Sequence, residues 1–307
     1  MQPRNLLYLL RTTVEQWNSD KAPQLAAALA YYTVFSMAPL LIIVIAIAGL
    51  VFGHSAAENQ IVGQIRGTVG EQSALLIQDM IRSASRPADG VLATIIGLIT
   101  LLAGAAGVFG QLKAALNIIW NVPPAQRPGG LAGILNMLKQ EFLSFTMVLG
   151  IGFLLLVSLV FSAALAALNN FVNNNVTVPP VIWEIVNFVV SFGIITLLFA
   201  AIYKVLPDAK IDWQDVWIGA ALTSLLFTIG KLLLGLYLGH SSVASSYGAA
   251  GSLVVILLWV YYSAQILFFG AEFTQVYANR FGSKISYRAA SKAQTAQRAQ
   301  SPSPSRG

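Results

Sequence analysis

The chain has 307 residues, of which 56% are hydrophobic and only 10% are charged, and its mean hydropathy is +0.71. A typical soluble domain carries about 25% charged residues, so this composition cannot coat a surface that faces water. The chain has no cysteine, which excludes disulfides, thiolate nucleophiles and sulfur-ligated metals. The formal net charge is +6, and its placement along the chain is more informative than its sum.

The first 24 residues are predicted to form a cytoplasmic segment at the membrane surface. Leu6, Leu10, Val14 and Trp17 recur at helical spacing, which predicts a short helix lying on the bilayer. The apolar run that follows is much longer than the roughly 7–15 residues of a signal-peptide core. It is therefore predicted to stay in the protein as a membrane anchor.

Six apolar stretches are long enough to cross a bilayer, for which a helix needs about 20 residues. They cover approximately residues 25–52, 91–112, 142–168, 181–202, 216–238 and 253–276. Six such stretches leave no polar faces to cover them in a soluble protein, and unbroken runs argue against the alternating pattern of a β-barrel. The predicted fold class is all-α, a polytopic domain of six transmembrane helices over residues 25–278.

The distribution of Lys and Arg predicts the orientation. Thirteen fall in the N-terminal segment, in the loops after the second and fourth spans, and in the C-terminal segment, whereas the opposite side has only Arg66, Arg82 and Arg86. Because positively charged loops tend to stay cytoplasmic, both termini are predicted to be inside. In the first outer loop, residues 54–90, apolar positions at helical spacing predict two short amphipathic helices. These positions are Ile61, Ile65, Val69, Leu76, Met80 and Ile81.

The C-terminal segment, residues 279–307, is rich in Ser, Ala, Gln and Arg and is predicted to be a disordered basic tail in the cytoplasm. Its positive charge is expected to be drawn to anionic lipid headgroups. Membrane lipids are therefore the expected partners, with a second copy of the chain or other membrane proteins also possible partners, and nucleic acid is not expected.

The residues that could support catalysis are few. His54 and His240 stand alone, without acidic residues at metal-ligand spacing, and the chain has no glycine-rich phosphate loop or nucleophile elbow. The sequence therefore predicts a protein that is not an enzyme and that has no cofactor and no metal.

Ionisable residues inside spans are expensive and often functional. By depth, Lys231 could pair with Glu184, and Lys113 could pair with Glu272. The alternative is that the lysines extend to the nearer headgroups while the glutamates sit in interfacial water.

Polar residues also share faces within spans. Tyr261, Gln265 and Glu272 lie on one face of the sixth span, and Tyr32 and Ser36 stand one turn apart just before Pro39 in the first. A proline break beside polar side chains is what a solute pathway requires. The alternative is packing, in which polar groups join helices that approach through small residues. The candidate packing glycines are Gly49, Gly53, Gly104, Gly107, Gly110, Gly235 and Gly239.

Four segments of the chain are distinctive: AALAYYTVFSMAPL at 27–40, GQLKAALNIIW at 110–120, YGAAGSL at 247–253 and GAEF at 270–273. Together, in this order and spacing, they resemble the YihY/BrkB family of bacterial inner-membrane proteins, a family that has also carried the label ribonuclease BN. The resemblance covers residues 17–280 and implies a six-helix protein of the bacterial inner membrane, without an agreed substrate. It also implies that some residues matter for more than hydrophobicity. These are Tyr31, Tyr32, Pro39, Gln111, Asn117, Gly248, Gly251 and Glu272.

Three functions remain open at this point. The first is a permease or exporter of an unidentified solute or lipid, whose path lies between the first and sixth spans. The second is an envelope scaffold that does not transport, and the third is a ribonuclease, for which metal ligands are missing. The residues proposed for the path or polar core are Tyr31, Tyr32, Ser36, Pro39, Gln111, Lys113, Asn117, Lys231, Tyr261, Gln265 and Glu272.

Overall fold

The computed structural model describes residues 3–84, 107–123, 180–240, 250–282 and 286–287, which are nearly all helical. The helices are α1 (Pro3–Ser19), α2 (Ala22–Phe52), α3 (His54–Val69), α4 (Glu71–Ala84), α5 (residues 107–119), α6 (Pro180–Val205), α7 (Trp213–His240) and α8 (Gly251–Phe281). Two short strands, β1 (Ala209–Lys210) and β2 (Ser286–Tyr287), pair antiparallel.

Four helices of the described residues are long and apolar enough to cross a membrane. These spans are Ala22–Leu50, Phe188–Val205, Trp213–Tyr237 and Gly251–Phe281. They correspond to the first, fourth, fifth and sixth stretches predicted from the sequence. The predicted third span, 142–168, lies outside the described residues, as does most of the second, 91–112. The number six therefore stays a prediction.

The surfaces of these spans are apolar on the outside as well as the inside. Only between 28% and 39% of the most apolar window of each span is buried within the protein. On α7, the large side chains of Leu232, Leu233 and Leu236 all point outward and are exposed. A contiguous apolar surface of this extent needs a cover other than water, and a lipid bilayer provides it.

Local sequence explains where several helices begin and end. Between α1 and α2 the chain turns at Lys21, whose φ of 54° is left-handed, and Pro23 then stands in the first turn of α2, where its missing N–H costs nothing. Gly53 and Gly70, with φ of 82° and 86°, separate α2 from α3 and α3 from α4, because glycine adopts positive φ without strain. After α5, left-handed Asn121 ends the helix in the same way.

The last span, α8, is the centre of the described structure and packs against α7, α2, α1 and α4. The largest apolar core lies between α2, α5, α6, α7 and α8 and includes the fully buried Trp120, Tyr203 and Phe268. The helices α3 and α4 form a second apolar core with α2 and α8. Both helices occupy the segments in which amphipathic helices were predicted, and their location outside the membrane stays a prediction.

Two glycines let α7 and α8 approach closely. Gly219 of α7 faces Thr274, and Gly270 of α8 faces Thr223 and Tyr203, so that a methyl group at either glycine would collide with these side chains. The sequence pattern selected other glycines for packing. Of those, Gly107 lies close to Tyr32 of α2, with 3.4 Å between such a methyl group and the ring, whereas Gly110 and Gly235 have no neighbour within 4 Å in the described part of the chain. Spacing identifies small residues on one face of a helix, but not which face meets another helix.

The beginning of the predicted tail takes part in the fold. Ala209 pairs with Tyr287 and Lys210 with Ser286, so β2 lies within residues 279–307. Residues 288–307 lie outside the described residues.

Candidate functional site

The interface between α1 and α8 brings together several buried polar side chains that have no hydrogen-bond partner among the described residues. It is held by an apolar cluster in which Leu9 of α1 packs against Phe273 and Val276 of α8. At its edge the Arg280 guanidinium lies over the ring of Tyr8, 3.9 Å from its centroid. These contacts fix which face of α1 meets α8.

The end of α1 places an acidic residue against α8. The backbone N–H of Asp20 donates to the carbonyl of Gln16 at 2.8 Å, and Lys21 then turns the chain into α2. Asp20 is thereby held facing Glu272 of α8, and the two carboxyl groups interact electrostatically. Sequence reasoning missed Asp20, because it stands in a turn outside the spans.

Glu272 is fully buried, with 0% of its surface exposed. Neither carboxylate oxygen has a hydrogen bond of normal length and angle to the described residues, and no described cation forms an ion pair with it. The approach of Asp20 is therefore close without being a formed hydrogen bond. A buried carboxyl group opposite another carboxyl group cannot keep both charges at low cost.

Several polar atoms of this interface also lack partners within the described residues. They include the side-chain oxygens of Gln16, Gln265 and Gln275 and the indole nitrogen of Trp17. Gln16 and Trp17 lie near the end of α1, Asp20 lies in the turn that follows, and Gln265, Glu272 and Gln275 lie on α8. We call these six residues the α1–α8 polar cluster.

Burial raises the pKa of Asp20 above its ordinary value of 3.8, and the nearby Glu272 carboxyl acts in the opposite sense but more weakly. The cause is desolvation, which disfavours the charged form of a carboxyl group. The site thus favours retention of a proton at the end of α1.

A cavity of about 380 Å³ adjoins the α1–α8 polar cluster, between α7 and α8. It is lined by Trp17 and Gln265 from the cluster and by apolar side chains such as Ile229, Leu233 and Phe269. Its walls are almost wholly apolar, and Ile229 and Leu233 are exposed on the outer face of α7. Such a cavity suits an apolar or amphipathic molecule better than an ion.

The candidate residues of α2 lie elsewhere. Tyr31 and Tyr32 are exposed, whereas Ser36 is buried. A methyl group added at Gly107 of α5 would lie near both Tyr32 and Ser36. Pro39 lies inside α2, which continues as one helix to Phe52. The structure therefore places Tyr32 and Ser36 together beside Gly107 of α5.

The candidate residues of α5 form a second polar cluster. Lys113 makes an ion pair with Asp208, with Nζ and Oδ2 3.0 Å apart. The Asn117 side-chain amide donates to the Asp208 carboxylate at 3.1 Å, and the Asp208 backbone N–H donates to the Asn117 oxygen at 2.9 Å. Lys113 thus pairs with Asp208 instead of Glu272. Depth counting could not find Asp208, because it lies in the loop after α6. Gln111 is half-buried on the same helix.

The remaining candidates lie apart from both clusters. Lys231 is exposed on α7, and it has no ion pair with any described side chain. The side chain of Glu184 lies outside the described residues, so that predicted pair remains open. Tyr261 is half-buried and packs against the largest core.

Tyr203 and Thr223 were also missed from the sequence. The Tyr203 hydroxyl donates to the Leu267 carbonyl at 2.7 Å and lies 3.0 Å from the Thr223 hydroxyl, joining α6, α7 and α8. Within the described ranges, no group of three or more His, Cys, Asp or Glu side chains could hold a metal ion.

Comparison with known proteins gives consistent matches along most of the chain. Residues 13–295 match the family model described as Virulence factor BrkB. A UPF0761 membrane protein of Psychrobacter sp. (strain PRwf-1) is 27% identical over 264 residues, covering 86% of this chain and 47% of that protein. One of Acinetobacter baylyi is 22% identical, covering 92% of this chain and 64% of its own length, and one of Mannheimia succiniciproducens is 26% identical, covering 85% and 86%.

The chain thus spans about half to two thirds of the length of the first two of these relatives. No solved structure matches it. The family match, the relatives' description as membrane proteins and the four apolar spans agree with one another. The chain is an integral membrane protein, and it belongs to the virulence factor BrkB family.

Proposed function

We propose that this protein is a permease or exporter of the bacterial inner membrane, with both termini in the cytoplasm, that moves a lipid-like solute past α8. The observation that carries the proposal is Glu272, a fully buried carboxyl group on a membrane helix that has no cation opposite it in the described residues. A charge inside a membrane helix is costly, and such residues usually mark transport pathways or proton relays.

The position of the cavity supports a lipid-like solute. Trp17 and Gln265 line it and also belong to the α1–α8 polar cluster. A molecule with an apolar chain and a polar end could place the chain in the cavity and the polar end towards the cluster. We therefore place the pathway along α7, α8 and the end of α1. This path retains Gln265 and Glu272 from the sequence prediction but leaves Tyr32 and Pro39 outside it.

The test uses protein in liposomes that contain a fluorescent phospholipid, with anionic and zwitterionic headgroups compared and a pH gradient imposed. We expect translocation of at least one phospholipid above protein-free liposomes, and at least a tenfold loss in Glu272→Gln. The control is Glu15→Gln, an exposed carboxyl group of α1 paired with Arg11, which should leave the rate unchanged. Equal rates with and without protein, or an unchanged rate in Glu272→Gln, would contradict the proposal.

A scaffold without transport is the second candidate, favoured by α3 and α4. They pack on α2 and α8 through apolar residues and present exposed charged pairs such as Arg66 with Glu71 at 2.8 Å. For this function, replacing exposed residues of 54–84 should impair the protein more than Glu272→Gln does. The opposite ranking in a growth or envelope-integrity assay argues for the permease.

A further inference from the structure

We infer that Asp20 and Glu272 together bind one proton, and that this shared proton holds the end of α1 against α8. The inference rests on the proposed function and adds to it a coupling ion, the proton, and the helix that responds to it. It starts from geometry. Glu272 is fully buried, both its oxygens lack hydrogen bonds to described residues, and the residue facing it is another carboxylic acid.

The alternative of two charged carboxylates would need a compensating cation. Asp20 is the ionisable group that acts electrostatically on Glu272, and its neighbour Lys21 is exposed. On α1, Arg11 is paired with Glu15, and Arg280 at the end of α8 lies over Tyr8. None of these cations pairs with Glu272 within the described residues. One proton between the two acids removes a charge and supplies a donor.

The other elements packed on α8 carry charges that are directed elsewhere. The α2 helix has no Asp, Glu, Lys, Arg or His, and its ionisable groups are Tyr31 and Tyr32, which are exposed. The α4 helix meets the opposite end of α8, where the Ser73 hydroxyl lies 3.4 Å from the Ser252 carbonyl. The charged groups of α3, α4 and α7 are His54, Glu58, Arg66, Glu71, Asp79, Arg82, Asp215, Lys231 and His240. Of these, Asp215 lies beside Gly282, beyond the end of α8, and Lys231 is exposed. On α5 and α6, which share the largest core with α8, Lys113 pairs with Asp208 and Lys204 donates to the Ile211 carbonyl.

A bound proton is also suited to control movement of α1. The apolar contact between α1 and α8 has Leu9, Phe273 and Val276 at its centre, with Leu222 and Tyr277 packed against them. The exposed face of α1 carries Leu6, Leu7 and Leu10, which can stay in the bilayer surface. Loss of the proton would place two negative charges against each other at the end of α1. Because α1 holds Trp17 at the cavity wall, release of α1 would remove that wall.

The experiment measures the distance between α1 and α8 directly, without a transported solute. The chain has no cysteine, so spin labels can be placed at Ser19→Cys and Asn279→Cys, two exposed positions, in protein reconstituted in liposomes. Double electron–electron resonance is recorded from pH 5 to pH 9 at constant sodium concentration. We expect one short distance at low pH and a second, longer distance that grows as pH rises.

The variants decide whether the carboxyl pair is responsible. Glu272→Gln and Asp20→Asn each remove one acid and should keep the short distance at every pH, whereas Glu15→Gln should behave as the wild type. A label pair at Gln214→Cys and Asn279→Cys reports on the α7 side and should not change with pH. A pH-independent distance in the wild type, the same transition in Glu272→Gln, or a transition driven by sodium at constant pH would each overturn the inference. Failure of lipid translocation with an intact distance transition would instead count against the permease alone.

Discussion

On one side of α8 the buried polar groups form hydrogen bonds, and on the other side they have none to the described residues. Towards α6 and α7, the Tyr203 hydroxyl donates to the Leu267 carbonyl, and Thr223 donates to the Gly219 carbonyl at 2.7 Å. Gly270 has no side chain that would collide with these two hydroxyl groups. Glu272 stands two residues after Gly270 and faces α1. Its carboxylate oxygens are buried and have no hydrogen bond to the described residues. Satisfied buried networks rigidify a core, while unsatisfied ones call for a ligand, a proton or a change of state. The side of α8 that faces α6 and α7 is thus rigidly packed, and we expect function on the side that faces α1.

The largest effect should come from filling the space at Gly270. In Gly270→Ala the added methyl group collides with the Thr223 and Tyr203 hydroxyls, and overpacking of this kind costs about 1–3 kcal/mol or more. We expect a clear fall in the thermal unfolding midpoint of the protein in detergent. Gly110→Ala, where the methyl group meets nothing within 4 Å among the described residues, is the control and should be neutral. Equal stability of the two variants would contradict the contrast between the two sides of α8, because the side at Gly270 would then not be closely packed.

Next in size is the cluster of α5 with the loop after α6. Asp208→Ala removes the acceptor for both Lys113 and Asn117, and partly buried polar groups left without partners cost about 1–3 kcal/mol. The control, Glu15→Ala, breaks an exposed pair with Arg11, which is worth about 0–1 kcal/mol. Chemical unfolding should rank Asp208→Ala clearly below Glu15→Ala. If both behave alike, the cluster does not join α5 to this loop.

A smaller effect is expected from removing one hydroxyl group. Tyr203→Phe loses the bond to the Leu267 carbonyl and should cost about 1 kcal/mol, the usual net value of one hydrogen bond. Tyr31→Phe, at a residue that is 59% exposed, should cost almost nothing. Both variants should keep lipid translocation, and loss of it in Tyr203→Phe would assign function to the side that we regard as structural.

The smallest effect concerns the pH dependence of stability. Because the pKa of Asp20 is raised from 3.8 by burial, its carboxyl group binds its proton more tightly in the folded protein than in the unfolded chain. Its contribution to stability is therefore complete below about pH 3.8 and is lost as pH rises through the raised value. Asp20→Asn should flatten the decline of the unfolding midpoint above pH 4. A steeper decline in that variant would show that folding lowers the pKa of Asp20 instead of raising it.

Much of the architecture could be predicted from the chain alone. The four spans of the described residues coincide with four of the predicted stretches, and α1 occupies the segment where Leu6, Leu10 and Val14 recur. These features depend on the length and spacing of apolar residues, which are local properties. The predicted orientation, partners and remaining spans stay predictions.

The contacts of the polar residues were harder to predict from the sequence. Depth counting proposed Glu272 as the partner of Lys113, where the structure has Asp208. Glu272 was among the predicted candidate residues, while Asp20, which faces it, was not. Both missed partners are acidic residues in turns next to helix ends, and no periodicity marks them.

That this chain lies in a membrane follows from apolar runs too long and too uniform for water, a property that each stretch carries by itself. Which carboxyl group faces which neighbour follows from how each helix is rotated about its axis and where the connecting turns return. Those angles are set by packing between segments far apart in the chain, such as Leu9 against Val276 and Gly270 against Thr223. Only the folded arrangement could therefore separate the satisfied side of α8 from the unsatisfied one.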